Sequence, residues 1–287
     1  MIIRLYIILA VIFSFNFANT IYRIPGNTEQ FSSMNTGSFI DSYHRKINHK
    51  TYPLYSMSFI HFPAEIKFHQ LFFQKPIKNY LISSHINILN YGTLEDVFNH
   101  QFSAYEQKLG IALFNILPNN LTYGLSIEYC RSKIEAYTSS ALNYNIGFKK
   151  IYLDNRFSIG LSLENYNNWM QSYSNLQDSL ASTITMSTSY KPKFLPLNLI
   201  MNYSNHNNDE SELVVGCIGN INNRFYFYSG KYFYFNNLSV YSTLNNVAFG
   251  LGIFINNQYK IDFGIQHLTD GIFNIGTSLT VITLDNL

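Results

Sequence analysis

The chain has 287 residues, of which 47% are hydrophobic, 17% aromatic and only 13% charged. Soluble domains carry about a quarter charged residues, so much of this surface is expected to face something other than water. The net charge of +2 lacks the basic footprint of a nucleic-acid binder, and two cysteines, Cys130 and Cys217, are too few for a disulfide framework.

The start reads as a signal peptide over 1–20. Arg4 supplies the positive region, Leu5 to Phe17 is almost wholly apolar, and Phe17 to Thr20 is a cleavage region. The apolar run is shorter than the roughly 20 residues of a helical span, and no later stretch would cross a membrane as a helix. A mature chain in a membrane must therefore be a closed barrel. Residues 21–51 are rich in Asn, Ser and Thr, with a Pro25-Gly26 breaker; they read as a periplasmic lead-in or a plug inside that barrel.

From Tyr52 onward the pattern has period two. Leu121, Tyr123, Leu125, Ile127 and Tyr129 share one face, and Thr122, Gly124, Ser126 and Glu128 the other. Leu142 to Phe148 and Phe157 to Leu163 repeat this alternation. Fourteen strands are expected: Pro53–Ile60, Glu65–Phe73 (ending at Pro76), Asn79–Leu89, Ala104–Ile116, Leu121–Arg131, Ala141–Tyr152, Arg156–Asn165, Leu180–Tyr190, Leu197–Tyr203, Glu212–Ile221, Phe225–Tyr234, Val247–Ile255, Tyr259–His267 and Ile272–Thr283. Asn236–Thr243 fits a loop or a strand.

Short turns at Pro118–Asn120, Asp154-Asn155, Asn222-Asn223 and Asn256-Asn257 use a residue that tolerates left-handed backbone. They alternate with longer loops at Tyr91–Gln101, Ser132–Ser140, Tyr166–Ser179, His206–Ser211 and Phe235–Asn246. Short turns on one rim and long loops on the other are the outer-membrane pattern. Tyr152, Phe157, Phe254 and Tyr259 flank short turns, while Tyr166, Trp169 and Tyr203 lie towards the other rim, as an aromatic girdle would. Lys150 sits just inside a short turn, where its stem can snorkel. The expected fold is all-β, a transmembrane antiparallel barrel over 52–287 in the bacterial outer membrane, with membrane lipid as its surroundings. The alternative is a soluble sandwich whose apolar faces meet each other.

No phosphate loop, zinc-protease motif, CxxC pair or nucleophile elbow is present, so neither catalysis nor a cofactor is expected. His61 and His69 lie on neighbouring strands without a clustered carboxylate or thiol. His206, beside Asp209 and Glu210, lacks a positioned nucleophile. The polar phase carries Glu128, Lys149, Glu164, Lys260 and Asp262 as candidate lumen-facing charges. Glu128 and Glu164 are expected near the outer ends of their strands and Lys149 near the inner end of its own, so no pair is expected among them.

Several segments resemble the PorV/PorQ family, PorQ more than PorV. They are Ile86–Gly92 (INILNYG), Phe102–Tyr105 (FSAY), Tyr123–Ser126, Ser132–Tyr137 (SKIEAY), Ser139–Ala141 and Gly147, with Ile261–Gly264 and Gly276 in the closing strands. The resemblance implies a fourteen-stranded barrel related to the FadL fatty-acid transporters. It also implies a role with the type IX secretion system, in which PorV-like members hold cargo through its C-terminal domain. Residues 20–50 lack the family's Gly-rich segment and Asn-Pro-Ala motif, and Asn145 stands where Asp is usual. Two functions follow as expectations: a non-catalytic accessory of type IX secretion or cargo attachment, or a FadL-like passive transporter of hydrophobic small molecules. The second predicts a lateral opening and an apolar pocket in the lumen.

Overall fold

A strand with one oily face and one polar face must bury one of them, and a closed cylinder in lipid satisfies both at once. The computed structural model describes residues 30, 32, 33, 53–95, 98–172, 182–206, 211–234, 246–267 and 273–283. Its strands are β1 (Leu54–His61), β2 (Lys67–Ile77), β3 (Tyr80–Glu95), β4 (Gln101–Ile116), β5 (Leu121–Ile134), β6 (Tyr137–Tyr152), β7 (Phe157–Gln171), β8 (Thr183–Tyr190), β9 (Leu197–His206), β10 (Glu212–Ile221), β11 (Phe225–Tyr234), β12 (Val247–Phe254), β13 (Tyr259–His267) and β14 (Phe273–Ile282). Each runs antiparallel to its sequence neighbours. β1 closes on β14, with Leu54 opposite Ile282 and His61 opposite Ile275. Closure leaves no unpaired edge, the condition for a sheet in hydrocarbon.

The alternation decides which face is out. On β5, Leu125 and Ile127 are 52% and 56% exposed, whereas Ser126 and Glu128 are 3% and 4% exposed. A sandwich would hide the leucine and isoleucine rows between sheets; here they form the outer wall, which excludes that alternative. Among the described residues no helix is long and apolar enough to cross a membrane, and the strands make the crossing. The protein is an outer-membrane β-barrel.

The asparagine turns form as expected. Positive φ angles occur at Asn120, Asp154, Asn155, Asn222 and Asn223, and the Asn256 side chain accepts from the backbone N–H groups of Gln258 and Tyr259. Lys150 reaches the Asn119 carbonyl and lies over the Tyr152 ring, so its charge stays at the rim.

The long-loop rim differs from expectation. Ser132–Ser140 is no loop: β5 and β6 continue through it and turn at Glu135 and Ala136. β3 runs on to Glu95 and β7 to Gln171. The polar residues there gave no apolar phase to read, yet cross-strand hydrogen bonds extend the ladders above the membrane. As a result β3 to β7 have 14 to 16 residues, against about 9–11 needed to span. β8 to β14 have only 8 to 10. One side of the barrel therefore stands up as a turret.

β2 passes through Pro76, opposite Leu81 at the rim, where a strand tolerates a missing donor. Trp169 is not part of an outer girdle. Tyr166, Asn168 and Met170 take the exposed phase, and Trp169 faces inward. A bulge between β6 and β7 near Asn145, with Asn165 at φ 57°, resets the phase. Residues 1–20, expected above as a signal peptide, most of 21–51 and Asn236–Thr243 lie outside the described residues.

Candidate functional site: the barrel interior

The interior is built from the polar phase of the strands, and its charges gather on two opposite walls. The first lies on β3 to β6. Glu128 Oε1 is 3.5 Å from His85 Nε2, and its Oε2 is 3.6 Å from Lys108 Nζ. His85, Gly110 and Glu128 are register partners across β3, β4 and β5, and the missing side chain at Gly110 lets the imidazole cross. A Cβ there would stand 2.3 Å from His85 Cε1. Asn145 donates to Ser126 Oγ at 2.7 Å and accepts from the Asn165 backbone N–H at 2.7 Å, tying the bulge to this network.

Gly110→Val is therefore expected to swing His85 away from Glu128 and to destabilise the barrel by about 1–3 kcal/mol, the usual cost of overpacking. Urea titration in detergent micelles would measure the loss, and it should shrink in a His85→Ala background, where the obstacle is gone.

The second wall lies on β11 to β14. Asp262 Oδ1 pairs with Lys260 Nζ at 3.0 Å and accepts from the Tyr228 hydroxyl at 2.8 Å; Ser278 Oγ donates to Oδ2 at 3.3 Å. The Lys260 ammonium also lies 4.8 Å from the Tyr226 ring centre and 5.3 Å from that of Tyr228, so aromatic faces support the charge where water does not. Gly252 leaves the space in which Tyr228 and Asp262 meet.

Glu128, Lys149, Lys260 and Asp262 are buried and Glu164 is half-buried. Glu128 and Glu164 sit mid-strand instead of near outer ends, because β5 and β7 run further than expected. Glu164 accepts from Ser162 Oγ at 2.6 Å. Lys149 lies near the short-turn end of β6, opposite Thr122 and Gly160. The sequence reading missed Lys108, His85 and Tyr228; the inward phase of β3 and β4 carries the first two, and counting it strand by strand would have found them.

Apolar side chains occupy both ends of the β1–β5 wall. Leu54, Phe72, Leu81, Ala112, Phe114 and Ile282 cluster towards the short turns. Ile60, Phe68, Leu89, Tyr91 and Ala104 cluster towards the long loops, with Phe62 and Ile66 from the β1–β2 connection against them. Tyr91 donates to Glu106 Oε1 at 2.8 Å. The described ladders around the wall are continuous apart from register shifts in β3–β4 and β6–β7.

Three described residues ahead of β1 reach this interior. Gln30, Ser32 and Ser33 are buried, and Ser32 Oγ lies 2.2 Å from where a Gly250 Cβ would stand. Gly250 is opposite Gly264, and Gly264 is opposite Gly276; all three take the inward phase. Three neighbouring strands without side chains at one level make a trough, and Ser32 sits over its edge.

His206 is held between neighbours. Its Nδ1 is 2.9 Å from Thr183 Oγ1 and its Nε2 is 3.5 Å from Glu212 Oε1, which ties β8, β9 and β10 together. Asp209 and Glu210 lie outside the described residues. His61 and His69 take the outward phase, and the His69 ring packs edge-on against Phe59. Cys130 and Cys217 form no disulfide. Among the described residues no group of three or more His, Cys, Asp or Glu is placed to hold a metal.

The chain shares its fold with solved transporters. It matches the toluene transporter TbuX of Ralstonia pickettii with a TM-score of 0.61 at 9% identity, covering 91% of this chain and 98% of that one. It matches the toluene transporter TodX of Pseudomonas putida with a TM-score of 0.58 at 8% identity, covering 89% and 90%. At these identities the likeness is one of fold. No family model and no curated protein matches the sequence.

Proposed function

We propose that the protein is a non-catalytic, passive outer-membrane channel for small apolar molecules, with its N-terminal segment as an internal plug. The observation that carries this reading is the pair of apolar clusters at the two ends of the β1–β5 wall. Apolar side chains turned into the barrel offer hydrocarbon a surface to contact, whereas a sugar or ion pore would be lined by polar groups throughout. The shared fold with TodX and TbuX supports the same substrate class. No cofactor enters.

The test is uptake of a labelled monoaromatic hydrocarbon by cells whose own channels of this fold are deleted. Expression of the barrel is expected to raise uptake, and Phe114→Asp and Leu89→Asp to lower it. Uptake equal to that of cells without the barrel would refute the reading. Trp169, the chain's single tryptophan, faces inward and offers a binding readout by quenching.

A second reading is an accessory of type IX secretion or cargo attachment, as the PorQ resemblance implies, with secretion components or cargo C-terminal domains as partners. One observation favours it. The resembling segments Phe102–Tyr105, Ser132–Tyr137 and Ser139–Ala141 meet on the turret: Ala104 is opposite Ile134, Ser132 is opposite Ser139, and the Glu135 N–H donates to the Ser103 carbonyl. Secretion of C-terminal-signal proteins that persists unchanged after gene deletion would remove this reading.

A further inference from the structure

The outer face of β2 to β6 changes character within two residues at its long-loop end. Below the change, Leu109, Ile111, Leu125, Ile127, Tyr129 and Leu142 line a groove of about 710 Å³ on the lipid-facing wall. Its depth has a local cause: Ser84, a small side chain on the outward phase, stands opposite Ile111. The volume falls within the roughly 300–1,000 Å³ typical of small-molecule sites.

Directly above, the outward positions become basic. Arg131 and Lys133 follow Tyr129 on the same face of β5. Along one register row Lys67, Asn90, Tyr105, Lys133 and Thr138 stand side by side, and the row below carries His69, Ile88, Gln107, Arg131 and Ser140. Neither row holds a carboxylate. Adjacent strands lie about 4.8 Å apart, so Lys67 and Lys133, three strands apart, are separated by about 14 Å at the backbone. At the same end of β8 to β10 the outward positions are Ile184, Tyr203, Asn205 and Leu213, none of them charged.

Cations at the headgroup level above an apolar groove match one kind of occupant. We infer that this face binds a phosphorylated lipid of the outer leaflet, with its phosphates on Lys67, Arg131 and Lys133 and an acyl chain in the groove beneath. The guanidinium of Arg131 can grip a phosphate through two parallel hydrogen bonds, and each Lys or Arg near the surface adds to the attraction for anionic headgroups. The site stands on the barrel's orientation in the membrane and is independent of what the lumen carries.

The experiment is native mass spectrometry of the whole barrel loaded with bis-phosphorylated lipid A or with dephosphorylated lipid A, followed by detergent exchange. The wild type is expected to retain the phosphorylated lipid preferentially. R131Q/K133Q should lower that retention about thirtyfold, as expected for two surface cations, while K191Q/K193Q on the opposite rim leaves it unchanged. Ser84→Phe, which fills the groove and keeps the cations, should also lower retention. All three variants change outward or turn residues, and heat-modifiable mobility on gels verifies folding. Equal retention by R131Q/K133Q and wild type, or equal retention of the two lipids, would overturn the headgroup site. Unchanged retention by Ser84→Phe would overturn the acyl seat.

Discussion

Gly250→Leu is expected to push the N-terminal segment off the β12–β13 wall and raise the ion conductance of the reconstituted barrel several-fold. The reason is spatial. Ser32 Oγ and Cβ lie 2.2 Å and 2.4 Å from where a Gly250 Cβ would stand, and the Phe263 carbonyl oxygen lies at 2.8 Å. The carbonyl belongs to a paired strand and cannot retreat, so the segment holding Ser32 must. Planar-bilayer recording measures the conductance. Thiol labelling of a Ser32→Cys variant measures the displacement: the cysteine should be protected with Gly250 in place and reactive with leucine there. Gly250→Ala should give an intermediate result. Unchanged conductance together with continued protection would mean that the segment is not seated on the trough.

The largest loss of stability is expected from Asp262→Ala. Asp262 is 2% exposed and Lys260 7% exposed. Removing the carboxylate takes from the buried Lys260 ammonium the counter-charge 3.0 Å away, and from the Tyr228 and Ser278 hydroxyls the oxygens they donate to. Breaking a buried pair in this way costs about 3–5 kcal/mol. The aromatic faces of Tyr226 and Tyr228 around Lys260 soften the loss and place it towards the lower end. Urea unfolding in micelles, followed through Trp169 fluorescence, would measure it. Lys260→Met/Asp262→Leu should recover most of the loss, because replacing both partners removes the stranded charge. A single variant as stable as wild type would show that water or another group takes over the carboxylate's role.

The two walls differ in how far the chain itself announces them. Lys260 and Asp262 are two apart on one strand, so their shared face and proximity follow from period two alone. Glu128 is different. Its partners His85 and Lys108 come from β3 and β4, and register decides whether they meet it. A slip of one residue would turn each of them to the opposite face. Gly110 carries no side-chain signal, yet the approach of His85 to Glu128 depends on its lack of a Cβ.

The rim was hardest to foresee. Ser132 to Ser140 is mostly polar with no sustained alternation and reads as a loop, because above the membrane no lipid enforces an apolar phase. Hydrogen bonding between β5 and β6 is enough to continue the strands there. Trp169 misled for a related reason: a bulge reverses the alternation, and nothing in composition marks one. The basic rows of the outer face were also invisible along the chain, since Lys67 and Lys133 are neighbours only through β3 and β4.

By itself the amino-acid order determined the strand count, the asparagine turns and, away from bulges, the face that side chains of the spanning strands take, because these depend on nearest-neighbour geometry and on the requirement that lipid meet oil. Only the tertiary structure decided which charges pair, where Ser32 rests and how the turret rises. Those outcomes depend on register and on the few ångströms left open by glycines, which no linear pattern records.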